Sequence, residues 1–502
     1  MTEEEEERGR KTGLDALEMA VNDVGAEVLQ YVPGYPITEA GQALGAQMAV
    51  NEKVAFEVAL GASATGQRSM VLVKHLGVNL LADPLSISPT HTIGAGLVVL
   101  VGEDVGPKGS QIELDVRHHA ALCELPVLDP AGPKSLYPSV IEAYQLSERI
   151  SAPVMVRMTF RPTETYEGEI HRTGISPGSK TFDRAIWGLT ARGRHQRYLR
   201  DVLPIIANAS ETTSLNFLES SGDLGVIACG RPAHLARDLQ VSLLAPGYAH
   251  PLPWKMIERF ILDHRKILVA EEPGPFVESR LRMSDKVCGK LTGHLPFGRL
   301  EAADLERVLE TIDKPGRQRY DVETAKGRGQ GSRAICDDCP YLPIYKAIKN
   351  LGVPVAGDAG CSIRAVRPPL DVVDVVYGLG SSVGVASGFA GKGIAVVGDY
   401  ALAHTGLQGL INALYHGREV LMVLLDNEVA AMTGGQRVPD IVPVVEAVVP
   451  RVERLKMPVP QDEIEAMLKR ELARSGISVV VASGRCPREP GHRLKEKSPM
   501  EL

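Results

Sequence analysis

The sequence predicts an α/β protein of three doubly wound parallel-sheet domains, and three observations carry that prediction. Apolar runs of strand length recur along the chain, rich in Val, Ile and Leu and continuous rather than alternating. Strands buried on both faces have that character. Between the runs lie small-residue, amphipathic stretches suited to crossover helices. The 50 glycines beside only 5% aromatic residues fit many tight strand-to-helix turns, and 502 residues suffice for about three domains.

Taken in order, residues 12–165 form the first domain. Its strands are EVLQYV, SMVLVKH, GLVVLVG, LPVLDP and PVMVRMT, with a helix from about Ile37. Residues 166–222 break the rhythm with Gly, Ser, Thr and the basic run ARGRHQRYLR, which predicts a connection with some helix. The second domain, 223–313, opens on DLGVIACG, continues through a helix near Ala233 to Leu243, and returns with HRKILVAEE. A Gly-rich linker, 314–333, precedes the third domain, 334–486, with strands near 353–356, 372–377, 393–399, 420–426 and 477–483. A charged tail, 487–502, follows. In such folds ligands bind beyond the carboxyl ends of the strands, so the loops there are the place to look for chemistry.

Bulk properties exclude several classes. With 44% hydrophobic and 23% charged residues the chain is globular, and a net charge of −7 recommends neither nucleic acid nor an anionic membrane as partner. The longest apolar runs are too short to cross a bilayer. Seven cysteines without a leading apolar segment argue against a secreted disulfide scaffold and for a cytoplasmic protein. The five glutamates at 3–7 read as a solvated lead-in.

The third domain holds the most specific pattern. Gly398, Asp399 and Tyr400 close one apolar strand and Asp426-Asn427 close the next, with 25 residues between Tyr400 and Asp426. The Asp399 carboxylate, the Asn427 amide oxygen and the Val429 carbonyl are hard oxygen donors that suit Mg²⁺, whose remaining positions go to diphosphate and water. Upstream, GLGSSVG (378–384) offers small residues, among them Gly380, Ser381 and Ser382, that let backbone N–H groups approach a phosphate. The spacing matches the thiamine diphosphate signature; either half alone is also found as an ordinary helix N-cap.

A thiamine enzyme needs a carboxylic group to hydrogen-bond the aminopyrimidine ring, which then removes the thiazolium C2 proton. The run EKVAFEVALGASATG, Glu52 to Gly66, follows the pattern E-x-x-A-x-x-x-A-x-G-x-x-x-T-G of a pyrimidine-binding helix and makes Glu52 that group, with Glu57 as competitor. Thr38 in GYPIT and His75 in KHLGVN are candidates to hold a substrate carboxylate or keto oxygen; for His75 the alternative is a structural loop histidine.

These residues resemble the α subunit of indolepyruvate ferredoxin oxidoreductase, within the 2-oxoacid:ferredoxin oxidoreductase superfamily, over about residues 12–486. The runs GYPITE, NEKVAFEVALGAS, VKHLGVNLLADPL, SQIELDVRHHA, LPWKMIERFILDHRKILVAEE, CDDCP, GDAGC, GDYALAHTGLQGLINALY and LLDNEVAAMTGGQ carry the resemblance. It implies domains of the thiamine diphosphate-binding, transketolase-like type: pyrimidine-binding, transketolase C-terminal-like and diphosphate-binding in that order. It also implies oxidative decarboxylation of an arylpyruvate 2-oxo acid with coenzyme A as acyl acceptor and ferredoxin as electron acceptor. Carried over, Asp399, Asn427 and Val429 are the Mg²⁺ ligands and Glu52 the pyrimidine partner. Pro36, Gly380, Ser381, Ser382, Gly398, Tyr400, Met432 and Thr433 surround the cofactor.

By the same resemblance Cys336, Cys339, Cys361 and Cys486 hold one [4Fe–4S] cluster; a zinc site of the same thiolates, or no metal, are the alternatives. Cys123, Cys229 and Cys288 read as core residues. A small β subunit and an (αβ)₂ or homodimeric assembly are implied as well. The chain departs from the family pattern where a ferredoxin-like domain with two cysteine runs would follow, so electron exit is expected through another polypeptide. CDDCP and GDYA also replace the commoner CPGCP and GDS. A non-oxidative 2-oxo acid decarboxylase and a non-catalytic paralogous subunit are the competing functions.

Overall fold

The computed structural model describes residues 11–175, 180–281, 285–317 and 334–488. The glutamate run, most of the 314–333 linker and nearly all of the tail lie outside the described residues. Contacts divide the chain into two compact units, 1–322 and 323–502. Among the described residues the chain forms three large, mainly parallel sheets, two of them in the first unit.

The first unit is built on a seven-stranded sheet. From one edge its strands run Tyr248–His250, Val127–Leu128, Val154–Met158, Leu97–Gly102, Ser69–Lys74, Val28–Tyr31 and Gln47–Met48, all parallel except the first. Leu97–Gly102 is buried throughout, which explains its unbroken apolar sequence. Each fully buried Val or Leu contributes about 1.5–3 kcal/mol. One face is covered by helices Gly13–Val24 and Pro133–Ile150, the other by Glu52–Ala64 and Val78–His91. Helix Gly13–Val24 starts at a Thr12–Asp15 capping box and stops at Gly25, whose φ of 63° suits glycine.

The second sheet orders Val287–Cys288, Lys266–Ala270, Leu224–Ala228, Ser242–Ala245 and Phe217–Glu219, with the last antiparallel. Here the structure corrects the expected helix near 233–243. The helix covers only Arg231–Ala236, and the apolar run after it is a buried strand. Tyr248–His250, from the same stretch, extends the first sheet. Two buried arginines fasten the sheets together. Arg157 pairs with Glu103 and, at 2.9 Å, Asp129, and also bonds the carbonyl of Glu272; Arg117 pairs with Asp115 and, at 2.8 Å, Glu271. Breaking one such buried pair costs about 3–5 kcal/mol. The expected connection at 166–222 is more than a tether, because Tyr198, Val202, Ile206 and Ala209 of its helices enter the first core.

The second unit holds a six-stranded, wholly parallel sheet in the order Val375–Val376, Val355–Gly357, Gly393–Gly398, Val420–Asp426, Ile477–Ser483 and Val452–Lys456. Its two faces pack against separate apolar layers, one with helices Leu342–Lys349 and Gln461–Leu472, the other with Ser382–Ala386 and Leu407–Tyr415. Among the described residues no helix is long and apolar enough to cross a membrane.

Candidate active site

In the second unit the parallel register sets Gly398 beside Leu425, so the loops that follow emerge as neighbours. The structure brings Asp399 and Asn427 together. One Asp399 carboxylate oxygen accepts the Tyr400 N–H at 2.7 Å; the other accepts the N–H groups of Asn427 at 3.0 Å and Glu428 at 2.5 Å. Burial pushes the Asp399 carboxyl up to about 6, against the pull of those N–H groups. The Asn427 amide oxygen accepts the Val429 N–H at 3.0 Å and bends the loop back. Between them Glu428 takes φ 61°, a left-handed conformation that costs a non-glycine residue roughly 1–3 kcal/mol. A buried carboxylate with an amide oxygen and a carbonyl two residues on is a donor set of the hard-oxygen kind that Mg²⁺ takes. Met432 and Thr433 occupy the turn of the hairpin that pairs Val429–Ala430 with Gln436–Arg437.

The Gly-Ser loop is held from within the fold. The Asp358 carboxylate accepts the Ser382 hydroxyl at 2.9 Å and the Ser382 N–H at 3.3 Å, and the Gly380 and Ser381 N–H groups also bond it. These are the N–H groups the sequence offers to a phosphate. Burial raises the Asp358 carboxyl to about 7. Gly380 has φ 82°, and a Cβ there would lie 2.2 Å from the Thr405 hydroxyl, so no other residue fits. Thr405 belongs to a widened π turn, Leu402–Gly406, that continues from the helical turn Asp399–Ala401; such turns gather at functional sites.

In the first unit Asn51 caps helix Glu52–Ala64 by accepting the Val54 N–H at 2.9 Å. The cap places Glu52 in the first turn, 7% exposed. Its carboxyl lies on Gly77, in the loop after strand Ser69–Lys74, where a Cβ would come within 2.3 Å of Oε1. Glu57 is on the open side of the helix, its side chain 46% exposed and paired with Lys53. Thr38 accepts the Gly34 N–H at 2.8 Å, and Pro36 rests against Gly102, where a Cβ would be 3.1 Å away. His75 is buried, its Nδ1 accepting the Asp104 N–H at 3.3 Å and its Nε2 facing the Ile112 carbonyl at 3.5 Å. Burial, aided by Lys74, lowers His75 to about 4, so it is a neutral ring that anchors the 104–112 loop.

All four cysteines named for the cluster lie in the second unit. Cys336 and Cys339 share one turn, with the Cys339 N–H on the Cys336 carbonyl at 3.1 Å. Every pair among Cys336, Cys339, Cys361 and Cys486 is within electrostatic reach, and burial raises the Cys339 thiol to about 12. Among the described residues no group of three or more His, Cys, Asp or Glu side chains is placed to hold a metal ion. Cys123, Cys229 and Cys288 are buried in the cores of the first unit.

Two tyrosines on helix Leu342–Lys349 and its N-cap escaped sequence reasoning. The Tyr341 hydroxyl sits between the carbonyls of Asp426 and Gly484 at 2.8 and 2.9 Å, joining the Asn427 loop to the Cys486 segment. Tyr345, one turn on, is 1% exposed, and its hydroxyl has no hydrogen-bond partner among the described residues. Asp358 also went unread, although GDAGC flagged its neighbour Cys361. An aspartate at the end of an apolar strand was the available signal.

Comparison with known proteins agrees with this geometry. The C-terminal TPP-binding domain of thiamine pyrophosphate enzymes matches residues 358–482, which include Asp358, Asp399 and Asn427. The indolepyruvate oxidoreductase subunit IorA of Archaeoglobus fulgidus is 30% identical over 94% of this chain and 86% of its own length. The protein of the same name from Methanothermobacter thermautotrophicus is 29% identical over 86% of this chain and 76% of its own. A solved 2-oxoglutarate:ferredoxin oxidoreductase from Magnetococcus marinus aligns at 17% identity over 60% of this chain and 65% of its own, with TM-score 0.43. With a thiamine diphosphate-binding domain and near-full-length similarity to these subunits, the chain belongs to the indolepyruvate oxidoreductase subunit IorA family of oxidoreductases.

Proposed function

We propose that the protein carries out thiamine diphosphate- and Mg²⁺-dependent oxidative decarboxylation of a 2-oxo acid. In this proposal the substrate is an arylpyruvate such as indolepyruvate, the acyl group goes to coenzyme A, and electrons leave through one [4Fe–4S] cluster to ferredoxin. The observation that carries the proposal is the meeting of Asp399 and Asn427 at adjacent strand ends. Bound thiamine diphosphate supplies the electron sink for breaking the bond to the carboxylate. Asp399, Asn427 and the Val429 carbonyl hold Mg²⁺ against the diphosphate, and the cation offsets the cost of burying the Asp399 carboxylate. Gly380, Ser381 and Ser382, fixed by Asp358, form the floor of that pocket, with Gly398, Tyr400, Met432 and Thr433 around it.

Glu52 hydrogen-bonds the aminopyrimidine ring and passes it a proton from a buried position. Thr38 keeps a hydroxyl proton to offer a substrate oxygen, while His75 acts by fixing the loop beside it. Cys336, Cys339, Cys361 and Cys486, four donors of one soft type in the same unit, would hold the cluster as thiolates. A small β subunit completes an (αβ)₂ assembly.

Gly77→Ala tests the place of Glu52. The new methyl would lie 2.3–2.6 Å from Oε1, Cγ and Cδ of Glu52, so the side chain beyond Cβ must turn away from its place. Turnover is expected to fall about 100-fold, with thermal denaturation of the variant reporting the packing cost separately; wild-type turnover would show that the Glu52 carboxyl is not used where it lies. Anaerobic purification tests the reaction class. A brown protein with about four irons per chain, lost on Cys339→Ser, supports the oxidoreductase. A colourless protein that releases aldehyde from a 2-oxo acid contradicts it and favours the non-oxidative decarboxylase.

A further inference from the structure

Three cationic side chains converge on one open cleft of the first unit. The cleft lies beyond the carboxyl ends of strands Val28–Tyr31, Leu97–Gly102 and Val154–Met158, the edge at which doubly wound sheets take ligands. Lys108, Arg161 and Arg299 line it beside Tyr35 and Pro36. The Lys108 and Arg161 side chains are exposed and have no hydrogen-bond or ion-pair partner among the described residues. Arg299 lies over Gly106, where a Cβ would be 3.3 Å from its own, and touches the exposed Glu301 at 3.4 Å. Carboxylates line the cleft too, but they are taken. Glu103 is held by Arg157 at 2.8 Å and by the Val116 N–H at 2.7 Å. Asp104 accepts the N–H groups of Lys108 and Gly109 at 3.0 and 2.7 Å and the Ser110 hydroxyl at 2.6 Å. Those bonds curl the loop that carries Lys108, and His75 holds the same loop at the Asp104 N–H. One exposed lysine or arginine is ordinary, whereas three around one concave space, with no carboxylate free to answer them, repel one another until an anion enters.

We propose that the cleft is a phosphate subsite and that the phosphates of coenzyme A occupy it. Guanidinium groups meet phosphate oxygens two at a time and an ammonium adds a point charge, so two arginines and a lysine suit a ligand with several negative charges. Coenzyme A carries a diphosphate and a phosphomonoester. A 2-oxo acid offers one carboxylate, which a single arginine satisfies. The cleft opens at the sheet edge that also bears Gly77, against which the Glu52 carboxyl lies. An acyl acceptor anchored by its phosphates can extend its thiol arm along that edge toward Glu52. The choice of coenzyme A rests on the reaction proposed above; the phosphate chemistry rests on the cleft alone.

The test is calorimetric titration of the full-length chain with coenzyme A and with pantetheine, which has the same thiol arm and no phosphate. Lys108 and Arg161 are exposed, so their substitution leaves the core untouched. Lys108→Gln and Arg161→Gln should each weaken coenzyme A about tenfold, and together about 100-fold, as loss of charged hydrogen bonds does, with pantetheine binding unchanged. Arg161→Lys, which keeps the charge but not the fork, should recover part of the loss. Equal coenzyme A binding in wild type and the double variant would overturn the subsite, as would a double variant that weakens pantetheine as much as coenzyme A. Wild type that binds neither ligand would contradict the acyl acceptor proposed above and remove coenzyme A as the occupant. Inorganic diphosphate, titrated in a chelator so that no Mg²⁺ site contributes, then decides the cleft itself. Weaker diphosphate binding in the double variant keeps the phosphate subsite; equal binding, or none in wild type, overturns it.

Discussion

Glu52→Gln should leave thiamine diphosphate bound while exchange of its C2 proton slows by about 10²–10⁴-fold, the usual share of a positioned acid or base. Glutamine has the size of glutamate, so it keeps the contact with Gly77 and the Asn51-capped first turn. What it lacks is a proton that can be given and regained. Exchange is read by deuterium uptake into the bound cofactor followed by acid quench and NMR, so neither substrate nor partner subunit is needed. Glu57→Gln is the matched control. Its side chain is 46% exposed and paired with Lys53, and exchange should match wild type. If Glu57→Gln slowed exchange and Glu52→Gln did not, the roles of the two glutamates would be reversed.

Asp399→Ala should abolish Mg²⁺-dependent binding of thiamine diphosphate. Removal of even an outer partner of a metal ligand costs about 10–100-fold in affinity, so loss of the ligand itself should exceed about 100-fold. The same substitution leaves the Tyr400, Asn427 and Glu428 N–H groups without their acceptor, so the loop through Val429 loosens and the thermal midpoint falls. Asp399→Asn separates the two effects. Its amide oxygen still accepts N–H groups, so more of the fold's stability is kept, but the charge proposed to hold Mg²⁺ is gone. Calorimetric titration of each variant in Mg²⁺ gives the binding, and thermal denaturation the stability. Wild-type binding in both variants would mean that the cation is held elsewhere.

What the sequence made legible follows from which features are local. The central strands stand out because burial on both faces demands unbroken apolar runs, as at 97–102 and 420–425. The Asp399 and Asn427 pairing is legible because adjacent parallel strands in register must put their following residues side by side. Cys123, Cys229 and Cys288 declared themselves by their apolar neighbours.

The unread features depend on approach between distant segments. Nothing near Asp358 says that its carboxylate collects the N–H groups of a loop more than twenty residues on. Arg157, inside an apolar strand, is tolerable only because Glu103 and Asp129 converge on it. The strand Val452–Lys456 went unseen because this edge strand, Val-Glu-Arg-Leu-Lys, carries three charged residues and no apolar run. Ser242–Ala245 was taken for the end of a helix because a short apolar run fits both periods. His75 shows the same limit at the site: its motif marks it as a candidate substrate contact, while its ring nitrogens face the backbone of the 104–112 loop.

The central claim is that this chain binds thiamine diphosphate through a divalent cation held at Asp399 and Asn427. Calorimetric titration of thiamine diphosphate into the wild-type chain, with Mg²⁺ and then with a chelator in its place, tests it most directly. Saturable binding of one cofactor per chain in Mg²⁺, lost in the chelator, is the predicted result. Equal binding with and without the cation, or none in either, would contradict it.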